Sequence, residues 1–224
     1  MEALKLYGPS FSSFLRSMRL ICQYKGLAHE ATLAPFGELI RPFSDEHAAL
    51  HPFKKMPVLL DGDLILQESS AIARYLDDKV GGGKAAPPLY PADPTLNAQV
   101  SAQASMLSLY VIKPLMSNLV LEFFLPKGEN GKVRIDVVKA ALPEAERLLL
   151  WLDNRIGDKP FYIAEQFTLC DALLIPMLDY MNQLAEPYNQ LPKFPPLQRY
   201  LAFQQQQYYS EGLLGKPDLS FLQP

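Results

Sequence analysis

The sequence predicts an α/β domain followed by an all-helical one. Three observations lead there: an opening strand, helix and strand; an Asp-Gly hairpin running into a second helix; and the loss of strand signals after a proline-rich stretch near residue 90. The expected division is residues 1–82, a linker over 83–94, and residues 95–224.

Leu4 to Tyr7 alternate and stop at Gly8-Pro9, after which Phe14, Leu15, Met18, Ile21 and Cys22 recur at helical spacing until Gly26. His29 to Leu33 then form a second strand, parallel to the first because a helix separates them. Pro57 to Leu66 hold two apolar runs about Asp61-Gly62, a strong signal for a hairpin of antiparallel neighbours. From Glu68 to Leu76, Ile72, Tyr75 and Leu76 share a helical face. The order is therefore β-α-β, then β-β-α. Gly81 to Gly83 break that helix, and Pro87, Pro88, Pro91 and Pro94 make the linker. From about Leu96 the pattern is helical, with breaks near 126–131, 157–160 and 192–196. Thr168 and Asp171 have capping-box spacing, a folding role.

The chain has 224 residues, a fifth of them charged, and a net charge of −3, with no basic field for nucleic acid. The first seven residues lack the features of an export signal, and no run approaches the roughly 18 apolar residues of a membrane helix. Neither nucleic acid nor membrane is expected as a partner. Cys22 and Cys170 lie far apart and outside metal-binding spacing, which suits buried thiols in a reducing compartment such as the cytoplasm.

Few polar constellations carry chemistry. Gly81 to Lys84 lack the earlier glycine, the following hydroxyl and the preceding strand of a phosphate loop. His47 and His51 are spaced for one helical face, but Pro52 pushes His51 out of a helix and no third ligand is near, so no metal is expected. Ser10, Ser12 and Ser13 crowd the first strand-to-helix turn, where hydroxyls commonly cap. The same helix N-terminus also suits a thiolate, to which a hydroxyl can donate. Pro57 fits a strand entrance. Glu68-Ser69 is either a plain helix start or, with its acid buried, a receptor for the ammonium and carboxylate of an amino acid.

Taken together, Leu6-Tyr7-Gly8, the run Ser12 to Leu20 (SSFLRSMRL), Pro52 to Leu59 (PFKKMPVL), Asp61-Gly62-Asp63 and Glu68 to Ile72 (ESSAI) resemble the cytosolic glutathione transferase family. Leu89 to Pro94 resemble its linker, and Phe167 to Ala172 its helical capping box. The resemblance spans nearly the whole chain and points to the serine-type classes, phi-, theta- or zeta-like and bacterial in appearance. It implies a thioredoxin-like domain followed by a helical domain, with glutathione as co-substrate, a hydrophobic electrophile as second substrate, and a homodimer.

Carried over by residue, Ser12 is the hydroxyl that donates to the glutathione sulfur, and Ser13 stands where proline is frequent. Met56 pairs its backbone with the cysteinyl part of the tripeptide, and Pro57 is the family's cis-proline. Glu68 and Ser69 receive the γ-glutamyl end, and Lys55 lies near the glutathione backbone or glycyl end. Lys54 replaces a common glycine, and Arg41 is a second basic candidate in a segment that aligns poorly. Tyr7 is the competitor for thiol activation, read here as a packing residue, and Cys22 lies too deep in its helix for the cysteine-type variants. The electrophile site is expected between the domains, lined by apolar groups including Phe11, Met106 and Tyr110. The alternatives are a ligand-binding protein without turnover, and glutathione-dependent peroxide reduction or isomerisation from the same thiolate.

Overall fold

The structure, a computed structural model, describes residues 3–80 and 86–216. Strands β1 (Leu4–Tyr7), β2 (His29–Thr32), β3 (Val58–Asp61) and β4 (Leu64–Leu66) form one mixed four-stranded sheet in the order β2-β1-β3-β4. Leu6 of β1 pairs with Ala31 of parallel β2 and with Leu59 of antiparallel β3. The β3-β4 hairpin turns at Gly62-Asp63, where Gly62 takes φ +59°, a conformation that glycine adopts without a Cβ clash.

Alternation along the strands gives the sheet two apolar faces. Leu4, Leu6 and Leu59 pack beneath helices α1 (Ser13–Tyr24) and α3 (Ser69–Val80), against Leu15, Met18, Ile72 and Leu76. Tyr7, Val58 and Leu60 face the other way, toward Ile40 and Leu50. Leu50 ends α2 (Asp45–Leu50), a helix the sequence did not announce. It is only six residues long, capped by Ser44, whose hydroxyl accepts from His47 N at 3.2 Å. His51 lies just beyond it in extended geometry, as Pro52 requires.

The rest of the described chain is helical. Helix α4 (Pro94–Phe124) opens with its Asp93 cap accepting from Leu96 N at 2.7 Å, and contains π-helical stretches at Leu107–Ile112 and Met116–Val120. Helices α5 (Ile135–Ile156), α6 (Leu169–Asn182) and α7 (Pro195–Gln205) complete the domain. Apolar nearly all round, α6 is buried from Leu169 to Met181 and forms the centre of the helical layer.

One helix has the length and mean hydropathy of a membrane span, although the chain shows no unbroken apolar run of that length. Helix α4 is long and apolar enough to cross a membrane, with a mean hydropathy of 1.4 over an 18-residue window. It contains no long uninterrupted apolar run, because serine, asparagine, glutamine, Lys113 and Glu122 punctuate the segment. Leu107, Val111, Ile112, Leu115 and Leu119 within it pack into the protein core.

The chain that enters the helical domain is bound to the first. Lys25 Nζ pairs with Asp77 at 2.6 Å and donates to Pro87 O at 2.9 Å, and Asp77 accepts from Leu89 N at 2.9 Å. The expected helix break at Gly81 to Gly83, and Lys84, lie outside the described residues.

Candidate active site

The first component is the turn from β1 into α1. Ser12 is the N-cap of α1: its N–H donates to Pro9 O at 2.9 Å, its carbonyl accepts from Arg16 N at 2.9 Å, and its Oγ accepts from Leu15 N at 3.4 Å. Ser13 is the first helical residue, and its carbonyl accepts from the Ser17 hydroxyl. No acidic side chain lies in the first turn, so the partial positive charge of the helix end is not neutralised by its own sequence.

This turn lies close to Met56. A Cβ placed on Gly8 would meet Leu15 Cδ1 at 2.9 Å and Met56 Cβ at 3.3 Å, so the backbone passes where only glycine fits. Met56-Pro57 is a cis peptide, and Val58, next in line, pairs with Tyr7 across the sheet.

The loop before it hangs on His47. Its Nδ1 accepts from Phe43 N at 3.0 Å, and its Nε2 lies 3.1 Å from the Lys55 carbonyl, to which it donates in that tautomer. The ring also packs edge-on against Tyr7 at 5.0 Å, and burial lowers its pKa, which favours the neutral form. His47 therefore serves loop packing, with both nitrogens in use.

The second component is the start of α3. Glu68 takes φ +67°, a left-handed conformation that costs a non-glycine residue about 1–2 kcal/mol. Such residues are concentrated at ligand clamps. Its side chain is 73% exposed, with Oε1 3.5 Å from His51 Nε2, so the buried acid of the receptor reading is corrected. The left-handed turn projects the carboxylate outward while Ser69 begins the helix, leaving the first N–H groups of α3 without intrahelical acceptors.

Beside the start of α3 and the Lys55-Met56 segment lies a cavity of about 510 Å³ that Phe14 of α1 also lines. Lys55, Met56, Glu68 and Ser69 line it from the first domain with Phe14, and α4 supplies Ser101, Ala104, Ser105, Ser108 and Leu109. Leu169 and Leu173 of α6 close it, with Arg74 and Tyr90 at the side. The Arg74 guanidinium stacks 3.6 Å from the Tyr90 ring centroid, a cation–π contact.

Four of the expected site residues thus line one cavity. Ser12, Ser13 and Pro57 are not among the residues that line it: Ser12 and Ser13 sit at the head of α1, whose Phe14 does line it, and Pro57 is buried next to Met56 in the chain. The structure does not bring Phe11, Met106 and Tyr110 to the cavity. Phe11 belongs to the turn, where its carbonyl accepts from the Tyr180 hydroxyl, and Tyr110 is 66% exposed. Met106 and Tyr110 follow the cavity stripe of α4 by a position or two, which on a helix rotates them off that face. Sequence reasoning missed Phe14 and the serines of α4. Their spacing, 101, 105 and 108, is helical, but a run of small polar residues resembles a solvated face. Lys54 is engaged with the Phe43 carbonyl at 2.9 Å, and Arg41 is exposed outside the cavity wall.

Tyr7 is fully buried, and its hydroxyl donates to Ile40 O at 3.2 Å on the α2 side of the sheet. Burial pushes its phenol up to about 12. The Cys22 thiol, also fully buried, is likewise pushed up to about 12 by burial.

A mixed sheet flanked by α1 and α3, a cis-proline strand entrance and a helical domain closing one cavity define a thioredoxin-like domain joined to a helical domain. Residues 6–84 match the family model described as the glutathione S-transferase N-terminal domain, and residues 135–203 match the C-terminal domain model. Glutathione S-transferase Z1 of Arabidopsis thaliana is 30% identical over 208 residues, covering 86% of this chain and 90% of its own. The stringent starvation protein A homolog of Pasteurella multocida is 26% identical over 191 residues, covering 83% of this chain and 78% of its own. Among solved structures, a glutathione S-transferase of Methylobacillus flagellatus with glutathione bound superimposes with a TM-score of 0.74 at 21% identity, covering 96% of this chain and 100% of that one. The chain belongs to the glutathione S-transferase family.

Proposed function

We propose that the protein is a serine-type glutathione transferase, acting as a cytoplasmic homodimer that joins the glutathione thiolate to a hydrophobic electrophile. The observation that supports this reading is that Lys55, Met56, Glu68 and Ser69 line one cavity together with Phe14 of the helix that Ser12 caps. Glu68 takes the ammonium of the γ-glutamyl group, and Ser69 with the head of α3 takes its carboxylate. The Met56 backbone pairs with the cysteinyl unit, Pro57 shapes that approach, and Lys55 meets the glycyl end. The sulfur then lies toward Ser12 and Ser13.

An ordinary thiol, with a pKa near 8.5, is only a few per cent thiolate at neutral pH. Lowering that pKa by about two units needs roughly 2.7 kcal/mol of preference for the thiolate. One charge-assisted hydrogen bond supplies about 1.5–3 kcal/mol, and a helix N-terminus about 0.3–1 kcal/mol. Ser12 can cap and donate together, because a hydroxyl has two lone pairs and one proton, and the cap uses only a lone pair. The serines of α4 make the second-substrate wall more polar than a purely apolar site, which suits an electrophile with polar substituents. The test is the pKa of enzyme-bound glutathione, followed by thiolate absorbance. It is expected well below 8.5 in the native protein and about 1–2 units higher in Ser12→Ala, where the helix end still contributes; equal values in the two proteins overturn the role of Ser12.

A second reading has support of its own. One relative is named for stringent starvation, not for a transfer reaction, and here the Ser12 hydroxyl bonds its own helix while the Glu68 side chain is largely exposed. On that reading the cavity holds glutathione or an apolar ligand without turnover. Calorimetric binding of glutathione with no reaction across aryl halides, epoxides and peroxides would favour it. Turnover of peroxides alone, or isomerisation, would place the same thiolate in a different reaction.

A further inference from the structure

Tyr180 belongs to α6 in the helical domain, yet its hydroxyl donates to the Phe11 carbonyl at 2.5 Å, inside the turn that presents Ser12. That carbonyl belongs to the peptide joining Phe11 to Ser12, and the N–H of the same peptide donates to Pro9 O at 2.9 Å. The peptide plane entering Ser12 is therefore held at both ends. The cap bond from Leu15 N to Ser12 Oγ, at 3.4 Å, is longer than the usual 2.7–3.2 Å range and fixes the residue less firmly.

Tyr180 is itself immobilised. It is 1% exposed, with the Arg16 guanidinium 4.4 Å from its ring centroid and Phe124 at 5.5 Å. Arg16 Nη1 lies 3.4 Å from Asp179 Oδ2 and donates to Gly215 O at 3.2 Å, and the same Asp179 oxygen accepts from Gly215 N at 2.8 Å. A buried polar cluster of α1, α6 and the segment at Gly215 thus sets the ring whose hydroxyl reaches the turn. We propose that Tyr180 is a positioning residue for Ser12, holding the preceding peptide so that the serine hydroxyl is presented to the glutathione sulfur.

This inference rests on the role proposed for Ser12. A misplaced donor loses much of its worth, since hydrogen bonds weaken with distance and angle. A bolt between domains without that function would alter stability and leave the thiol unchanged. Tyr180→Phe keeps the ring between Arg16 and Phe124 and removes only the donor. The expected result is a rise in the pKa of bound glutathione by about 0.5–1 unit, or roughly 3–10-fold less thiolate below that pKa. The acid limb of the kcat/KM profile shifts equally, while KM for glutathione changes by less than about 2-fold, because the cavity wall is untouched.

In a Ser12→Ala background the same substitution should move the thiol pKa no further. A native-like thiol pKa in Tyr180→Phe, with Ser12→Ala shifted, overturns the positioning role alone, as does an additive shift in the double variant. A thiol pKa near 8.5 in the native protein overturns the Ser12 reading first. If Tyr180→Phe does not fold, 4-aminophenylalanine at the same position keeps the ring with a weaker donor. An intermediate shift then supports the proposal, and no shift refutes it.

Discussion

Asparagine at position 171 exchanges one carboxylate oxygen for an amide nitrogen inside a site with four donors. Oδ1 of Asp171 accepts from Tyr162 N and from the Tyr200 hydroxyl, both at 2.8 Å. Oδ2 accepts from the Thr168 N–H and from the Thr168 hydroxyl, both at 2.9 Å. With the amide oxygen kept toward Tyr162 and Tyr200, the new NH₂ faces Thr168. The Thr168 hydroxyl can rotate and accept from it, but the Thr168 N–H cannot and loses its acceptor. A buried donor left unpaired costs about 1–3 kcal/mol. Burial also pushes the Asp171 carboxyl up, so removing the charge relieves some desolvation and holds the net loss near 2 kcal/mol. For a chain of this size that lowers Tm by about 4–8 °C, with a matching fall in the urea midpoint at pH 7. Asp171→Ala strands all four donors and should cost more than about 4 kcal/mol by the same reasoning. A loss under about 0.5 kcal/mol in Asp171→Asn would refute the claim that these four bonds define the start of α6.

Other consequences are open to direct measurement. Gly8→Ala places a methyl 2.9 Å from Leu15 Cδ1 and 3.3 Å from Met56 Cβ at φ +147°, so calorimetry should show weaker glutathione binding together with a stability loss of more than about 1 kcal/mol. Tyr7→Phe removes the bond to Ile40 O and should lower stability by about 1 kcal/mol in urea, while the thiol pKa of bound glutathione stays unchanged. Hydrogen bonds from Lys79 and Tyr75 hold the Asp61 carboxyl below its ordinary 3.8, so its contribution is present above that value and lost as pH falls through the lower folded pKa. The urea midpoint of Asp61→Asn should therefore lie below that of the native protein at pH 7, with the gap closing toward pH 2.

Local chemistry made the sheet half of the protein readable. Gly8-Pro9 ends β1, the Asp61-Gly62 signal falls within one residue of the Gly62-Asp63 turn from β3 into β4, and Ile72 with Leu76 marks the buried side of α3, each a signal complete within a few residues. Helix α2 was not readable because its six residues span less than two turns, too few for a period to emerge, and it is fixed by tertiary contacts at His47 and Leu50. The cavity face of α4 failed for a related reason. Phe11, Met106 and Tyr110 were apolar candidates, whereas the face of α4 that lines the cavity is built of serine and alanine with Leu109 alone as a large apolar residue. Which side of a helix meets another domain is settled by packing, and a stripe of small residues carries no mark of it.

Ser12 is a position at which the sequence offers two assignments and the geometry leaves room for both. As a string, a hydroxyl at a helix start reads as a cap, and a thiolate donor looks like a rival assignment. At the turn the two demands fall on different parts of one atom, a lone pair toward Leu15 N and the proton left for another acceptor. The capping bond orients the hydroxyl, and the Tyr180 bond fixes the peptide that carries it. Tyr180 lies 168 positions further along the chain than Ser12, so no local pattern pairs them. The serine and its helix end were therefore legible in the first domain, while the group proposed to position it comes from the second.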